Sequence, residues 1–280
     1  MRKYELIAMA LVLAFCFGVF LIPHFVPGWR TAHWIELLKS ERSEDQRAAQ
    51  KALAAIGKAA VPALLKHALS PEPEARAGVL AALGELRADA GDAVPMIIKA
   101  LRDPDPRVRG AAAAALGSIG KAATSDPEPV VQALLRALHD DDKSVRVKAI
   151  SAVGDLGPQA KEAFGQLKNL LTMADVSQRT EAVRTLARID ARAAVSVLIG
   201  ALRDGDYHVR IAAIQALGFI GPEAREAAPV LLRAFQGARQ GPKSEPEARA
   251  TLGSTPQEQK AIDQALLRID PEVVARFRKP

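Results

Sequence analysis

Cysteine is nearly absent: of 280 residues, only Cys16 carries a thiol. One thiol excludes an internal disulfide framework and a multi-cysteine metal site. Aromatic side chains make up only 4% of the chain, although 49% of it is apolar. An interior of that size must therefore be built from Ala, Leu, Ile and Val. Such residues favour close-packed helices over a β-sandwich, which draws on aromatic and β-branched strands. A basic stripe is missing too. The net charge is +6, from 38 basic and 32 acidic residues. Between Leu101 and Asp140, however, Arg102, Arg107, Arg109, Lys121 and Arg136 are interleaved with Asp103, Asp105, Asp126, Glu128 and Asp140. The one small basic cluster is Arg276, Arg278 and Lys279. Nucleic-acid recognition needs clustered bases, so no nucleic-acid partner is expected.

The N-terminus has the order of a membrane-targeting segment. Arg2 and Lys3 precede an uncharged apolar run, Leu6 to Ile22, closed by Pro23 and His24. Seventeen helical residues would cover roughly 25 Å, just short of a bilayer's hydrocarbon core. Tyr4 and Trp29 stand where interfacial aromatics would. Signal peptidase requires small residues at two positions before its cleavage point, and Pro23, His24, Phe25, Val26 and Pro27 supply no such pair. Phe15 beside Cys16 departs from a lipoprotein signal. The segment 1–29 therefore reads as a retained anchor, with a transmembrane helix at about 5–22. Positive charge ahead of the run places the N-terminus in the cytoplasm. The body, residues 30–280, then lies on the outer, periplasmic side of a bacterial cytoplasmic membrane.

The body repeats one motif. "LAAIG" at Leu53, "LGEL" at Leu83, "LGSIG" at Leu116, "VGDLG" at Val153, "LARID" at Leu186, "LGFIG" at Leu217 and "LLRID" at Leu266 follow one another at intervals of 30, 33, 37, 33, 31 and 49 residues. Within a unit, Val108, Ala112, Ala115, Leu116 and Ile119 form one helical stripe. Val145, Ala149, Ala152, Val153 and Leu156 repeat it, as do Val209, Ala213, Ala216, Leu217 and Ile220. A second apolar helix precedes each stripe, for example "VPMIIKAL" from Val94. Acid-rich turns separate the two: Asp103-Pro104-Asp105, Asp140-Asp141-Asp142, Asp204-Gly205-Asp206. Short acids there cap the following helix, and Gly120, Gly157 and Gly221 are expected to end it. The last interval is long because 237–257 is rich in Gly, Pro, Ser and Glu and reads as a flexible insertion. Pro271 to Phe277 reads as a short closing helix.

Stacked helix pairs of this kind, with "AVPMIIKALRDPDPRVRGAAAAALGSIG" as their clearest copy, resemble the HEAT repeat, in the HEAT-like variant also found in phycobilisome lyases. The resemblance rests on Asp-x-Asp-x-x-Val-Arg, on Ala-x-x-Ala-Leu-Gly and on the Val-Pro helix opening, and it spans about Trp34 to Phe277. It implies an all-α fold: an α-α superhelix, or HEAT/armadillo-like solenoid, of about seven helical pairs. It also implies that the Asp and Arg series (Asp103/Arg109, Asp140/Arg146, Asp204/Arg210) bonds across adjacent repeats. HEAT-type hydroxylases hold iron with paired His-Glu motifs. Here none of His24, His33, His67, His139 and His208 is followed by glutamate. His139 and His208 fall in equivalent turns and read as exposed turn residues.

No Gly-rich phosphate loop, Ser-His-Asp set or Gly-x-Ser-x-Gly occurs. No catalytic residue, metal, cofactor or small-molecule substrate is expected. A lyase-like role in chromophore handling is the alternative, carried by repeat similarity only. A solenoid offers an extended concave face made by one helix of each pair, here the helix opening Val-Arg. Its outward positions are Lys148, Ser151 and Asp155, then Glu181, Arg184 and Arg188, then Ala212, Gln215 and Phe219. The corresponding Ala111, Ala114 and Ser118, with Gly110 beside them, carry neither charge nor bulk. A protein partner is expected on the decorated half. Phe219 either anchors that partner or folds against the neighbouring repeat.

Overall fold

The computed structural model describes residues 27–40, 42–123, 126–239 and 252–278. Among them the chain forms seven helical pairs: α1 (Pro27–Leu37) with α2 (Ser43–Ile56), α3 (Val61–His67) with α4 (Pro73–Leu86), α5 (Val94–Ala100) with α6 (Pro106–Ala123), α7 (Glu128–Ala137) with α8 (Lys143–Leu156), α9 (Phe164–Met173) with α10 (Val176–Ile189), α11 (Ala191–Ala201) with α12 (Tyr207–Ile220), and α13 (Ala228–Arg239) with α14 (Pro256–Ile269). The expected closing helix is α15 (Pro271–Arg278). The expected span at 5–22 lies outside the described residues. Among the described residues no helix is long and apolar enough to cross a membrane. The boundary expected after residue 29 falls inside α1. Most of the 237–257 segment also lies outside the described residues, but its ends do not, since α13 continues to Arg239 and α14 begins at Pro256.

The apolar stripes build the interior. Val108, Ala112, Ala115, Leu116 and Ile119 are all buried, and so are Val145, Ala149, Ala152, Val153 and Leu156. One continuous core runs from Ile35 to Val274. The second helices, α4, α6, α8, α10, α12 and α14, pack closely along their lengths, whereas neighbouring first helices touch little. The closer spacing of the second helices puts them on the inside of the curve, as their small side chains permit.

Helix ends follow the turn residues. Gly157 (φ 61°) ends α8 and Gly221 (φ 74°) ends α12, both in left-handed backbone. Arg87 takes the same place after α4 at φ 51°, where a side chain is strained. Gly120 departs from the expectation. Helix α6 runs through it to Ala123, and a Cβ at Gly120 would stand 2.6 Å from Leu156 Cδ2. Its hydrogen side chain serves close packing on α8, not termination. The "LARID" unit, which lacks the glycine, turns on Asp190. That residue ends α10 and caps α11, accepting from the Ala193 N–H at 3.0 Å. Asp270 of "LLRID" does the same between α14 and α15, accepting from the Val273 N–H at 3.2 Å.

In the three acid-rich turns the two acids divide their work. The second caps the helix: Asp142 accepts from the N–H groups of Ser144 (2.8 Å) and Val145 (3.1 Å), and Asp206 from that of His208 (2.8 Å). The first holds an arginine of the preceding pair. Arg76 donates from Nε and Nη2 to Asp103, both at 2.8 Å. Arg109 does so to Asp140 at 2.7 and 2.8 Å, and Arg179 to Asp204 at 2.8 Å twice. These are bidentate, partly buried ion pairs, as the resemblance implied. Each guanidinium is also tied to its own turn, as when Arg109 Nη1 donates to the carbonyls of Asp103 (2.9 Å) and Pro104 (3.1 Å).

These rungs set an acid limit on stability. Burial opposes ionisation of Asp103 and Asp204, but hydrogen bonds from Arg76 and Arg179 and from turn N–H groups outweigh it and leave both carboxyls below their ordinary 3.8. For Asp140 the hydrogen bonds of Arg109 dominate, in the same direction. Because the folded values are depressed, the stabilisation is complete above the unfolded value near 3.8 and is lost as pH falls through the folded values. The melting temperature is expected to drop steeply below about pH 4. Replacing Asp103, Asp140 and Asp204 together with asparagine should cost about 1–3 kcal/mol per rung at pH 7 and flatten that drop. A triple variant whose melting temperature falls below pH 4 as steeply as the wild type's would show that other groups set it.

Candidate functional site

On the inner face, a groove of about 270 Å³ lies between α10 and α12. It is lined by Arg184, Ala187 and Arg188 from one helix and by Gln215, Ala216 and Phe219 from the next. Each residue's place follows from its register. Ala187 and Ala216 belong to the stripe side of their helices and are almost buried (5% exposed each), so they form the floor. Arg184, Arg188, Gln215 and Phe219 lie on the solvent side and form the walls.

Phe219 is 69% exposed, so it does not fold against the neighbouring repeat. Its exposure is well above the 37% of Tyr207, and leaving such a ring in water has no benefit for the fold. Gln215 stands one helical turn before it, also exposed. Across the floor, Arg188 donates from Nη2 to Asp155 Oδ1 of α8. Arg184 contacts Glu181 Oε2 on its own helix at 3.4 Å. Both guanidiniums stand in solvent, Arg184 at 52% and Arg188 at 38% side-chain exposure. Exposed pairs of this kind are worth about 1 kcal/mol or less, so both arginines can exchange their partners for another anion at little cost.

The structure therefore divides the residues that the sequence singled out. Arg184, Arg188, Gln215 and Phe219 share the groove. Asp155 and Glu181 serve as counter-ions beside it. Lys148 and Ser151, on α8, are not among its lining residues. Lys148 instead crosses α6: a Cβ at Gly110 would lie 3.0 Å from Lys148 Cδ and Nζ. Ala212, expected on the outward face, is fully buried. At that position a short side chain ends against the preceding second helix, whereas lysine is long enough to pass over it. Sequence reasoning missed Ala187 and Ala216 as groove residues, because a floor of core-side alanines looks the same as any other part of the core.

The histidines lie elsewhere. His67 Nδ1 is 2.9 Å from the Ala63 carbonyl. His139 is exposed in its turn, and the ring of His208 rests against that of Tyr207, centroids 3.8 Å apart. Among the described residues no group of three or more His, Cys, Asp or Glu could hold a metal ion.

Comparison with known proteins agrees with the repeat architecture. A family model described as HEAT repeats matches residues 61–128 and 165–242, and one for the single HEAT repeat matches 130–160. No curated protein matches the chain. Among solved structures, the Kap95:Nup1 complex aligns over 95% of this chain and 40% of its own, with a TM-score of 0.62 at 12% identity. The karyopherin Kap121p bound to the SUMO protease Ulp1p aligns over 88% of this chain and 30% of its own (TM-score 0.55, 18% identity). The complex of CpcE and CpcF of phycocyanin lyase from Nostoc sp. PCC7120 covers 55% of this chain and 96% of its own (TM-score 0.51, 24% identity). At these identities the likeness is one of fold. The repeat models account for more than half of the sequence, and the chain belongs to the HEAT-repeat family.

Proposed function

We propose that this protein is a non-catalytic scaffold that binds a protein partner in the α10–α12 groove and is held at a membrane by residues 1–29. The observation that carries the reading is Phe219, exposed between an amide and two guanidinium groups on the face where a solenoid has its extended binding surface. Aromatic and arginine side chains are the usual anchors of protein interfaces. The groove's chemistry also favours binding over catalysis. Its polar wall groups are two guanidiniums, which neither accept nor release protons at neutral pH, and one amide. The order of Arg2, Lys3 and the apolar run supports an anchor with the body on the outer face of a bacterial cytoplasmic membrane.

The test is affinity capture from membranes with the full-length chain, set against the variant Arg184→Glu/Arg188→Glu/Phe219→Ala. A central aromatic or arginine anchor is worth about 2 kcal/mol or more, so partner recovery is expected to fall at least about tenfold, with helicity unchanged. If every captured protein is retained by the triple variant, the groove is not the binding surface. Purified protein that carries a bound chromophore or metal would overturn the non-catalytic reading.

A further inference from the structure

The arginine–aspartate ladder has a gap. At the fourth position of the second helix, all seven pairs carry a side chain that reaches back to the carbonyl of its own turn: Gln46 to Ser40 (2.7 Å), Arg76 to Ser70 (2.8 Å), Arg109 to Asp103 (2.9 Å), Arg146 to Asp140 (2.7 Å), Arg179 to Ala174 (2.9 Å), Arg210 to Asp204 (2.8 Å) and Gln259 to Gly253 (3.1 Å). Four of the five arginines then turn their Nε edge to a carboxylate of the following pair: Asp103, Asp140, Asp204 and Glu258. Arg146 does not. It is fixed by Nη1 to the carbonyls of Asp140 and Asp141, at 2.7 and 2.9 Å, and among the described residues no carboxylate meets its Nε or Nη2.

The cause lies in the next pair. In the pairs around it five residues separate the two helices, 101–105, 138–142 and 202–206. Helix α9 instead continues to Met173 and leaves only Ala174 and Asp175 before α10. The register position that holds Asp103, Asp140 or Asp204 elsewhere is Met173. Asp175, the remaining acid of that turn, is committed to capping α10 and to Lys143 (3.4 Å). No fully buried polar atom of Arg146 lacks a partner, so its unused edge is not sealed from water in this half-buried side chain.

We propose that Arg146 is a receptor for an aspartate or glutamate side chain of a protein partner, which would supply in trans the rung that the fifth pair lacks. The guanidinium is already oriented by two carbonyls, so the fork is presented for bidentate capture without further ordering. Acids of its own turn do not forbid it. Arg109 lies above Asp103 and Asp105, and Arg179 above Asp175, yet both hold a carboxylate of the following pair. This site is separate from the groove and does not depend on the reading given to Phe219.

The glutamines at the two ends of the solenoid supply the discriminating variant. Arg146→Gln keeps a side chain that can reach the turn carbonyl, as Gln46 and Gln259 do, and removes only the open edge. Its melting temperature is expected to match the wild type's, whereas Arg109→Gln, which breaks a filled rung, should lower it. The binding probe is a blocked peptide, acetyl-Gly-Asp-Gly-amide, with the Asn peptide as control. Both are titrated through the millimolar range into full-length protein labelled with 15N-arginine. The Arg146 Nε–Hε resonance, identified by its loss in Arg146→Gln, should shift saturably with the Asp peptide alone, while those of Arg109 and Arg179 stay in place. An unmoved Arg146 signal would overturn the proposal. So would an equal shift at Arg102 and Arg136, which would mean general charge attraction, or a melting temperature of Arg146→Gln as low as that of Arg109→Gln.

Discussion

Glu258→Ala is expected to lower stability by about 3–5 kcal/mol, the cost of leaving one member of a buried ion pair alone. Arg210 and Glu258 are both 0% exposed, with Nε to Oε1 at 2.7 Å. Glu258 also closes a capping box. Its backbone N–H donates to Thr255 Oγ1, and its Oε2 accepts from the Thr255 N–H, each at 3.1 Å. One carboxylate thus satisfies the last rung of the ladder and the start of α14 together. Repeat arrays lose stability unit by unit, so the damage should appear as early release of α13–α15 rather than as collapse of the whole chain. Circular dichroism should resolve a new low-temperature step, and limited proteolysis should cut near 237–257 and beyond. A paired replacement, Arg210→Met with Glu258→Leu, should be milder than either single change, because it leaves no uncompensated charge. A single-step melt for Glu258→Ala, within about 1 kcal/mol of wild type, would show that the pair contributes little.

The repeats were legible because their spacing is a property of the chain itself. Val108 to Ile119 and Val145 to Leu156 announce buried stripes, and both are buried. The turn acids were legible as caps for the same local reason. What the sequence left obscure depends on distance between pairs. Glu258 lies in place of a turn aspartate but inside the next helix, so no fixed spacing links it to Arg210. Gly120 follows a helical stripe just as Gly157 and Gly221 do, yet its helix runs on to Ala123, and Leu156 of the next pair takes the space that its missing side chain leaves. The groove was half legible. Arg184, Arg188, Gln215 and Phe219 follow from register, whereas its alanine floor is fixed by how far apart α10 and α12 stand.

That dependence on neighbouring pairs makes two Gly→Ala substitutions go in opposite directions. At Gly117, in α6, a Cβ would lie 2.7 Å from Ala152 Cα and 3.1 Å from its carbonyl oxygen. Both are backbone atoms of α8, so no rotamer change relieves the contact; the two helices must separate. Overpacking of a fitted core costs about 1–3 kcal/mol, and a shift between second helices spreads to the pairs on either side, so the upper part of that range is expected. At Gly200, in the last turn of α11, a Cβ would meet nothing within 4 Å. Alanine there removes the entropic penalty of a helical glycine and should stabilise by about 0.5–1 kcal/mol. Both values follow from thermal or urea unfolding of the single variants. If Gly117→Ala matched Gly200→Ala in sign, the close seam between α6 and α8 would not be rigid. The inner face, groove included, would then rest on a softer layer than the packing of its small residues implies.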